Sequence, residues 1–205
     1  MSKIGIMGGT FDPIHNGHLA LGRQAYEEYG LDQVWFMPSG TPPHKKDHTV
    51  TAAADRCEMV KLAIAGCPCF KLSDFEIRRP GNTYTADTLA LLRGQYPEHE
   101  FYFIIGGDSL YEIERWYHPE RIMKLAVLLA AGREYEGAVR TMDQQIAYLK
   151  ERYGADIRRL HCREMDVSSN EVRGLEARGE RIVQYVPKPV EAYIESHGLY
   201  QEKTL

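Results

Sequence analysis

The sequence predicts an α/β protein: a doubly wound parallel sheet in a single domain over residues 1–205, helical from about 168 to the C-terminus. Three observations predict it. Short apolar runs alternate with longer amphipathic segments, the pattern of repeated β-α-β crossovers. Two of those runs, Phe101–Ile105 (FYFII) and Ala126–Ala131 (AVLLAA), are almost wholly apolar, as strands covered on both faces must be. No internal repeat or low-complexity linker divides the chain.

Lys3–Met7 reads as the first strand. Gly17–Tyr29 is a helix with Leu19, Ala20 and Tyr26 on one side, closed by Gly30. Gln33–Met37 (QVWFM) is the second strand, and Pro38–Val50 is a loop rich in proline and basic residues. Ala52–Ala65 is a helix and Phe70–Ser73 a strand. Tyr84–Arg93 is a helix opened by Thr83 or Thr85 and stopped near Gly94 and Pro97. After the FYFII strand, Pro119–Lys124 is a short helix leading into the AVLLAA strand. Thr141–Tyr153 is a helix and Ile157–Cys162 a strand; Ser169–Arg178 and Pro187–Ser196 are the last helices.

Composition narrows the function classes. Of 205 residues, 43% are hydrophobic and 26% charged, enough apolar surface to offset the entropy of ordering, which excludes a disordered chain. Lys plus Arg number 25 against 29 Asp plus Glu, a net charge of −4. No basic stripe interleaves with aromatics, so nucleic acid is not an expected partner. No apolar stretch of about eighteen residues exists, so no membrane span is expected. The run Ile4–Met7 is too short for an export signal. Cys57, Cys67, Cys69 and Cys162 show neither zinc-knuckle nor Cys-x-x-Cys spacing. Reduced thiols and a cytoplasmic location are the expectation. The oligomeric state is left open, with a homodimer among the options.

In sheets of this class, ligands sit beyond the carboxyl ends of the strands, where strand order reverses. Residues with chemistry should therefore follow strands directly. The first such segment is Gly8-Gly9-Thr10-Phe11-Asp12-Pro13-Ile14-His15-Asn16-Gly17-His18. Gly8 and Gly9 let backbone N–H groups approach a phosphate, and the next helix aims its positive end at the same place. His15 and His18, three apart, share a helix face. The blander alternatives are two surface caps or a stray metal pair. The segment is neither GxGxxG nor a P-loop.

The second segment, Gly106-Gly107-Asp108-Ser109, follows FYFII and offers a carboxylate for sugar hydroxyls; the same residues would serve to cap a helix. Trp116 and Tyr117 lie just beyond, where an aromatic either stacks on a flat ring or fills the core. The third segment is Val167-Ser168-Ser169-Asn170-Glu171-Val172-Arg173. Ser168 and Ser169 can cap a helix and donate to an anion, and Arg173 can reach a phosphate with its fork. His44 and Lys45 form a basic cluster suited to a polyphosphate tail, or plain solvated charge. Thr85 stands at a helix start among other hydroxyls.

GGTFDPIHNGH resembles the signature turn of the nucleotidyltransferase superfamily whose hallmark is His-x-Gly-His, here His15 to His18. VSSNEVR resembles the second signature, Ser-Ser-Thr-x-Ile-Arg, with Asn170 in place of Thr and Val172 in place of Ile. PSGTPPHK (38–45), NTYTADTL (82–89), GGDSL with Trp116, and VPKPVEAYIESHGLY (186–200) are similar to the bacterial nicotinate-nucleotide adenylyltransferases, across essentially the whole chain. Phosphopantetheine adenylyltransferases share a GTFDP turn but usually carry Thr where His15 stands, and cytidylyltransferases share His-x-Gly-His. The resemblance implies a Rossmann-like fold and a Mg²⁺-dependent reaction of ATP with nicotinate mononucleotide, giving deamido-NAD and pyrophosphate by direct in-line attack on the α-phosphate. It implies His15, His18, Lys45 and Arg173 as catalytic residues. Gly8, Gly9, Thr10, Phe11, His44, Gly106, Asp108, Ser168 and Ser169 would bind ATP; Thr85, Trp116 and Tyr117 would bind the nicotinate nucleotide. Mg²⁺ would ride on the ATP phosphates, without a protein metal cage.

Overall fold

The computed structural model describes residues 1–40, 50–132, 139–162 and 167–201. Six strands form one sheet: β1 (Ser2–Gly9), β2 (Gln33–Pro38), β3 (Phe70–Leu72), β4 (His99–Gly106), β5 (Val127–Ala131) and β6 (Ile157–Leu160). Their order is β3-β2-β1-β4-β5-β6 and every pairing is parallel. This is the doubly wound order, in which β1 and β4 flank the point of reversal. Gly9 pairs with Pro38 and Gly106 with Ala131, so the glycines that end β1 and β4 open onto the same edge of the sheet.

The helices among the described residues are α1 (Asn16–Tyr29), α2 (Ala53–Ile64), α3 (Thr85–Gln95), α4 (Gly107–Glu112), α5 (Pro119–Leu125), α6 (Met142–Tyr153), α7 (Ser169–Ala177) and α8 (Lys188–His197). They cover both faces of the sheet. The strand period of two divides each central strand between two cores. Tyr102, Ile104 and Leu129 face one core, with Ala25 of α1, Met59 of α2, Val172 of α7 and Ile194 of α8. Phe101, Phe103, Ile105 and Leu128 face the other, with Leu89 of α3, Leu110 of α4, Ile122 of α5 and Leu149 of α6. That division explains why FYFII lacks polar alternation.

Local signals set most boundaries. Gly30 ends α1 at φ 58°, a left-handed conformation that glycine adopts at no steric cost. Thr141 caps α6, accepting from the Gln144 N–H while the Gln144 side chain returns to the Thr141 N–H. The structure corrects the expected start of α3. Neither Thr83 nor Thr85 caps it; Tyr84 is the N-cap, and the Thr83 hydroxyl donates to Glu76 at 3.0 Å. It also adds α4, which begins at Gly107 directly after β4.

Candidate active site

The turn after β1 is built from glycine, buried aromatic and imidazole. Gly9 approaches Phe11 so closely that a Cβ there would lie 3.1 Å from the ring. Phe11 itself takes φ 51° and is buried, so its ring anchors the turn in the core against Phe36. His15 is the N-cap of α1 and His18 lies in its first turn. Their rings stack with centroids 3.7 Å apart, and the edge of Phe11 meets His18 at 5.0 Å. The His15 N–H donates to His18 Nδ1 at 3.2 Å. A neutral His18 therefore carries its proton on Nε2, the nitrogen left to donate.

His15 is 7% exposed, and burial pushes its pKa down to about 4. It is neutral at pH 7, so two stacked imidazolium charges do not arise there. Gly17 makes room for this arrangement. A Cβ at that position would stand 3.1 Å from two atoms of the His15 ring and 3.2 Å from Val167. Nδ1 of His15 and the hydroxyl oxygen of Ser39, which follows β2, are both buried without a hydrogen-bond partner among the described residues. Nδ1 of His99 is the third such atom; a buried polar atom without a partner is one that a polar ligand could satisfy.

The third segment comes to the same place from the far end of the chain. Ser168 caps α7, its oxygen accepting from the Glu171 N–H at 3.1 Å. Ser169 donates its hydroxyl proton to Pro13 O at 2.9 Å, which ties the start of α7 to the turn after β1. Arg173 donates to Asp12 O at 2.7 Å and to the Asn170 side chain at 3.1 Å. Asn170, the departure from the second signature, thus holds the guanidinium beside the first turn.

Gly106 and Asp108 lie exposed at the mouth of β4. A Cβ on Gly106 would meet nothing within 4 Å, so packing does not explain the glycine. Trp116 is half-buried, edge-on to Phe103 at 6.3 Å, with part of its surface open. Tyr117 is 47% exposed and stacks at 4.5 Å on Tyr84, the residue before Thr85. Tyr117 thus lies against the residue that caps α3, one position before Thr85. His44 and Lys45, with the rest of 41–49, lie outside the described residues.

Sequence reasoning missed the layer beneath. Asp12 is buried; its carboxylate accepts from the Tyr200 hydroxyl at 2.7 Å and the Thr51 N–H at 3.3 Å. Burial and that carboxylate raise the Tyr200 pKa well above the ordinary phenol. Asn16 donates to Tyr185 O and Gln184 O, clamping the start of α1 to the C-terminal segment. Arg56 lies 2% exposed under the turn. One signal was present: Arg56 precedes Met59 and Val60 by three and four, which places it on the buried face of α2.

The structure brings together two stacked histidines at a helix start, a glycine turn at the sheet's point of reversal, and a serine-capped helix with its arginine, a donor set suited to phosphate oxygens. Residues 6–175 match the cytidylyltransferase-like family model, which is the class of this fold and site. A protein of Lachnoclostridium phytofermentans named probable nicotinate-nucleotide adenylyltransferase is 46% identical over 200 residues, covering 98% of this chain and all of that one. One of Dehalococcoides mccartyi with the same name is 44% identical over 204 residues, 98% of each. The chain belongs to the nicotinate-nucleotide adenylyltransferase family. The Plasmodium falciparum nicotinic acid mononucleotide adenylyltransferase, complexed with NaAD, shares the fold with a TM-score of 0.79 at 21% identity over 98% of each chain. No helix among the described residues is long and apolar enough to cross a membrane.

Proposed function

We propose that this chain transfers the adenylyl group of ATP to nicotinate mononucleotide, forming deamido-NAD and pyrophosphate in NAD biosynthesis. The names of the full-length relatives support the reading, and the stacked His15–His18 pair at the start of α1 is the observation that carries it. A phosphate oxygen of the mononucleotide attacks the α-phosphorus in line. The bond from that phosphorus to the bridging oxygen of the β-phosphate breaks, and pyrophosphate leaves with the electron pair. The attacking phosphate is already anionic, so the site supplies positioning and charge stabilisation rather than a base.

His18 donates from Nε2 to the α-phosphate as its charge grows, and neutral His15 fixes that ring by stacking and by its backbone N–H. Thr10 and Phe11 line the phosphate site with Gly8 and Gly9. Arg173, the N-terminus of α7 at Ser168 and Ser169, and His44 and Lys45 take the β- and γ-phosphates. Asp108 takes the ATP ribose beside Gly106. Trp116 stacks on the pyridine ring, with Tyr117 at its border, and the start of α3 at Thr85 reads the carboxylate. Imidazoles and backbone N–H groups suit phosphate oxygens; magnesium asks for oxygen ligands, and Asp12 beneath the turn is committed to Tyr200 and Thr51. Magnesium bound with the triphosphate would supply charge neutralisation for the leaving pyrophosphate.

The test is pyrophosphate release from MgATP by purified protein, with nicotinate and nicotinamide mononucleotides in parallel. Strong preference for the nicotinate form is expected. Activity with neither would overturn the acceptor assignment.

A further inference from the structure

Arg56 sits on the buried face of α2 and makes four hydrogen bonds, all to backbone carbonyls. Nε donates to Thr51 O at 3.0 Å and Nη1 to Thr10 O at 2.7 Å. Nη2 donates to Ser39 O at 2.9 Å and Gly40 O at 3.4 Å. Thr10 lies in the phosphate turn after β1. Ser39 and Gly40 are the last described residues before 41–49, and Thr51 follows just after that segment. One side chain therefore joins the turn to both ends of the segment that carries His44 and Lys45.

We infer that Arg56 is a positioning residue for triphosphate binding. It fixes the spacing between the turn after β1 and the chain entering and leaving residues 41–49. The inference rests on the proposed use of that turn for ATP.

The chemistry favours positioning over simple filling. All four carbonyls lie at strand ends or in turns, where water could satisfy them. A buried guanidinium instead selects one geometry, because its five donors are fixed in a plane. Lysine could not replace it, since an ammonium group cannot reach three separate segments along fixed directions. Neighbouring bonds share the task. The Ser39 N–H donates to Gly9 O at 2.8 Å, and the Asp12 carboxylate holds the Thr51 N–H. Asp12 also supplies a negative charge near the buried guanidinium. Of the three buried polar atoms without a partner among the described residues, those on His15 and Ser39 lie on segments that Arg56 braces or adjoins; the third is on His99. The aromatic border at Tyr84, Trp116 and Tyr117 receives none of its bonds.

That asymmetry sets the test. Arg56→Lys and Arg56→Gln are compared with wild type for KM of ATP, KM of nicotinate mononucleotide, and the Kd of MgATP alone by calorimetry. KM does not depend on the folded fraction, so a partly unfolded preparation still reports. Both variants should raise KM and Kd for ATP by about ten-fold or more, while KM for the mononucleotide moves about two-fold at most. Lower kcat with both KM values unchanged would overturn the inference, because it marks only a loss of folded enzyme. Failure of both variants to fold would also overturn it, making Arg56 a keystone of the fold. If wild type binds MgATP but turns over neither mononucleotide, the acceptor reading fails while the MgATP Kd still tests Arg56.

Discussion

A neutral His15 has a measurable thermodynamic consequence. Its pKa is about 4 in the folded chain against 6.5 when solvated, because burial disfavours the imidazolium. Between those values the unfolded chain holds a proton that the folded chain does not. Stability from this group is therefore complete above pH 6.5 and is lost as the pH falls toward 4. The full span is worth about 3 kcal/mol, of which about 2 kcal/mol falls between pH 7 and pH 5. The perturbation is His15→Gln, which keeps a polar side chain of similar reach but cannot titrate. Urea unfolding of both proteins at pH 7, 6 and 5 gives the difference directly, with other acid-sensitive groups cancelling between them. Wild type should lose about 2 kcal/mol more than the variant over that interval. An NMR titration of the His15 ring should place its midpoint near 4. Parallel stability curves, or a midpoint near 6.5, would refute the burial argument and with it the neutral partner assigned to His18.

Further outcomes follow from the structure. His18→Ala should cut kcat by about 10² or more and leave ATP affinity nearly unchanged; lost affinity with intact kcat would sink its place at the α-phosphate. Gly17→Ala presses a methyl against the His15 ring and Val167 at 3.1 and 3.2 Å, so kcat should fall along with about 1 kcal/mol of stability; Gly22→Ala, which meets Phe36 at 2.8 Å inside the core, should cost about 1–3 kcal/mol while both KM values hold. Trp116→Ala should raise KM for nicotinate mononucleotide about ten-fold and spare ATP, with Trp116→Phe recovering most of the loss; equal effects on both substrates would assign the indole to the core alone.

What could be read in advance depended on the range of the interaction. The strands were legible because each is a local run of three to eight residues, and the central ones take their character from two buried faces. Phe101 to Ile105 shows this plainly, with alternate residues entering opposite cores. The turn after β1 was legible because its glycines and histidines are consecutive. Helix α4 was legible only as a cap at Asp108 or Ser109; its N-cap is Gly106, and its packed Leu110 and neighbouring Ile113 reward the helical form. The start of α3 was misread because Thr83 spends its hydroxyl on Glu76, seven residues away. Nothing local announces that Tyr200 bonds Asp12 across 188 positions, or that Ser169 bonds Pro13 across 156. Those contacts exist only once the sheet has brought its strand ends together.

The same contrast explains how the site can be positive without being heavily charged. Its deepest imidazole is neutral, and Arg56 is turned inward onto carbonyls. Arg173 is half-engaged by Asp12 O and Asn170. Beside Arg173, the described residues offer a polyanion fixed dipoles: the N-termini of α1 and α7 and the glycine-rich turn, together with the His18 imidazole. Dipoles fixed by folding need not reorganise when charge moves from the α-phosphorus to the leaving pyrophosphate. A cluster of mobile cations would bind ATP tightly in its ground state and gain less at the transition state. On this argument the buried network of Asp12, Arg56, Asn16 and Tyr200 belongs to catalysis as much as to stability. It holds the donors still at the moment they are needed.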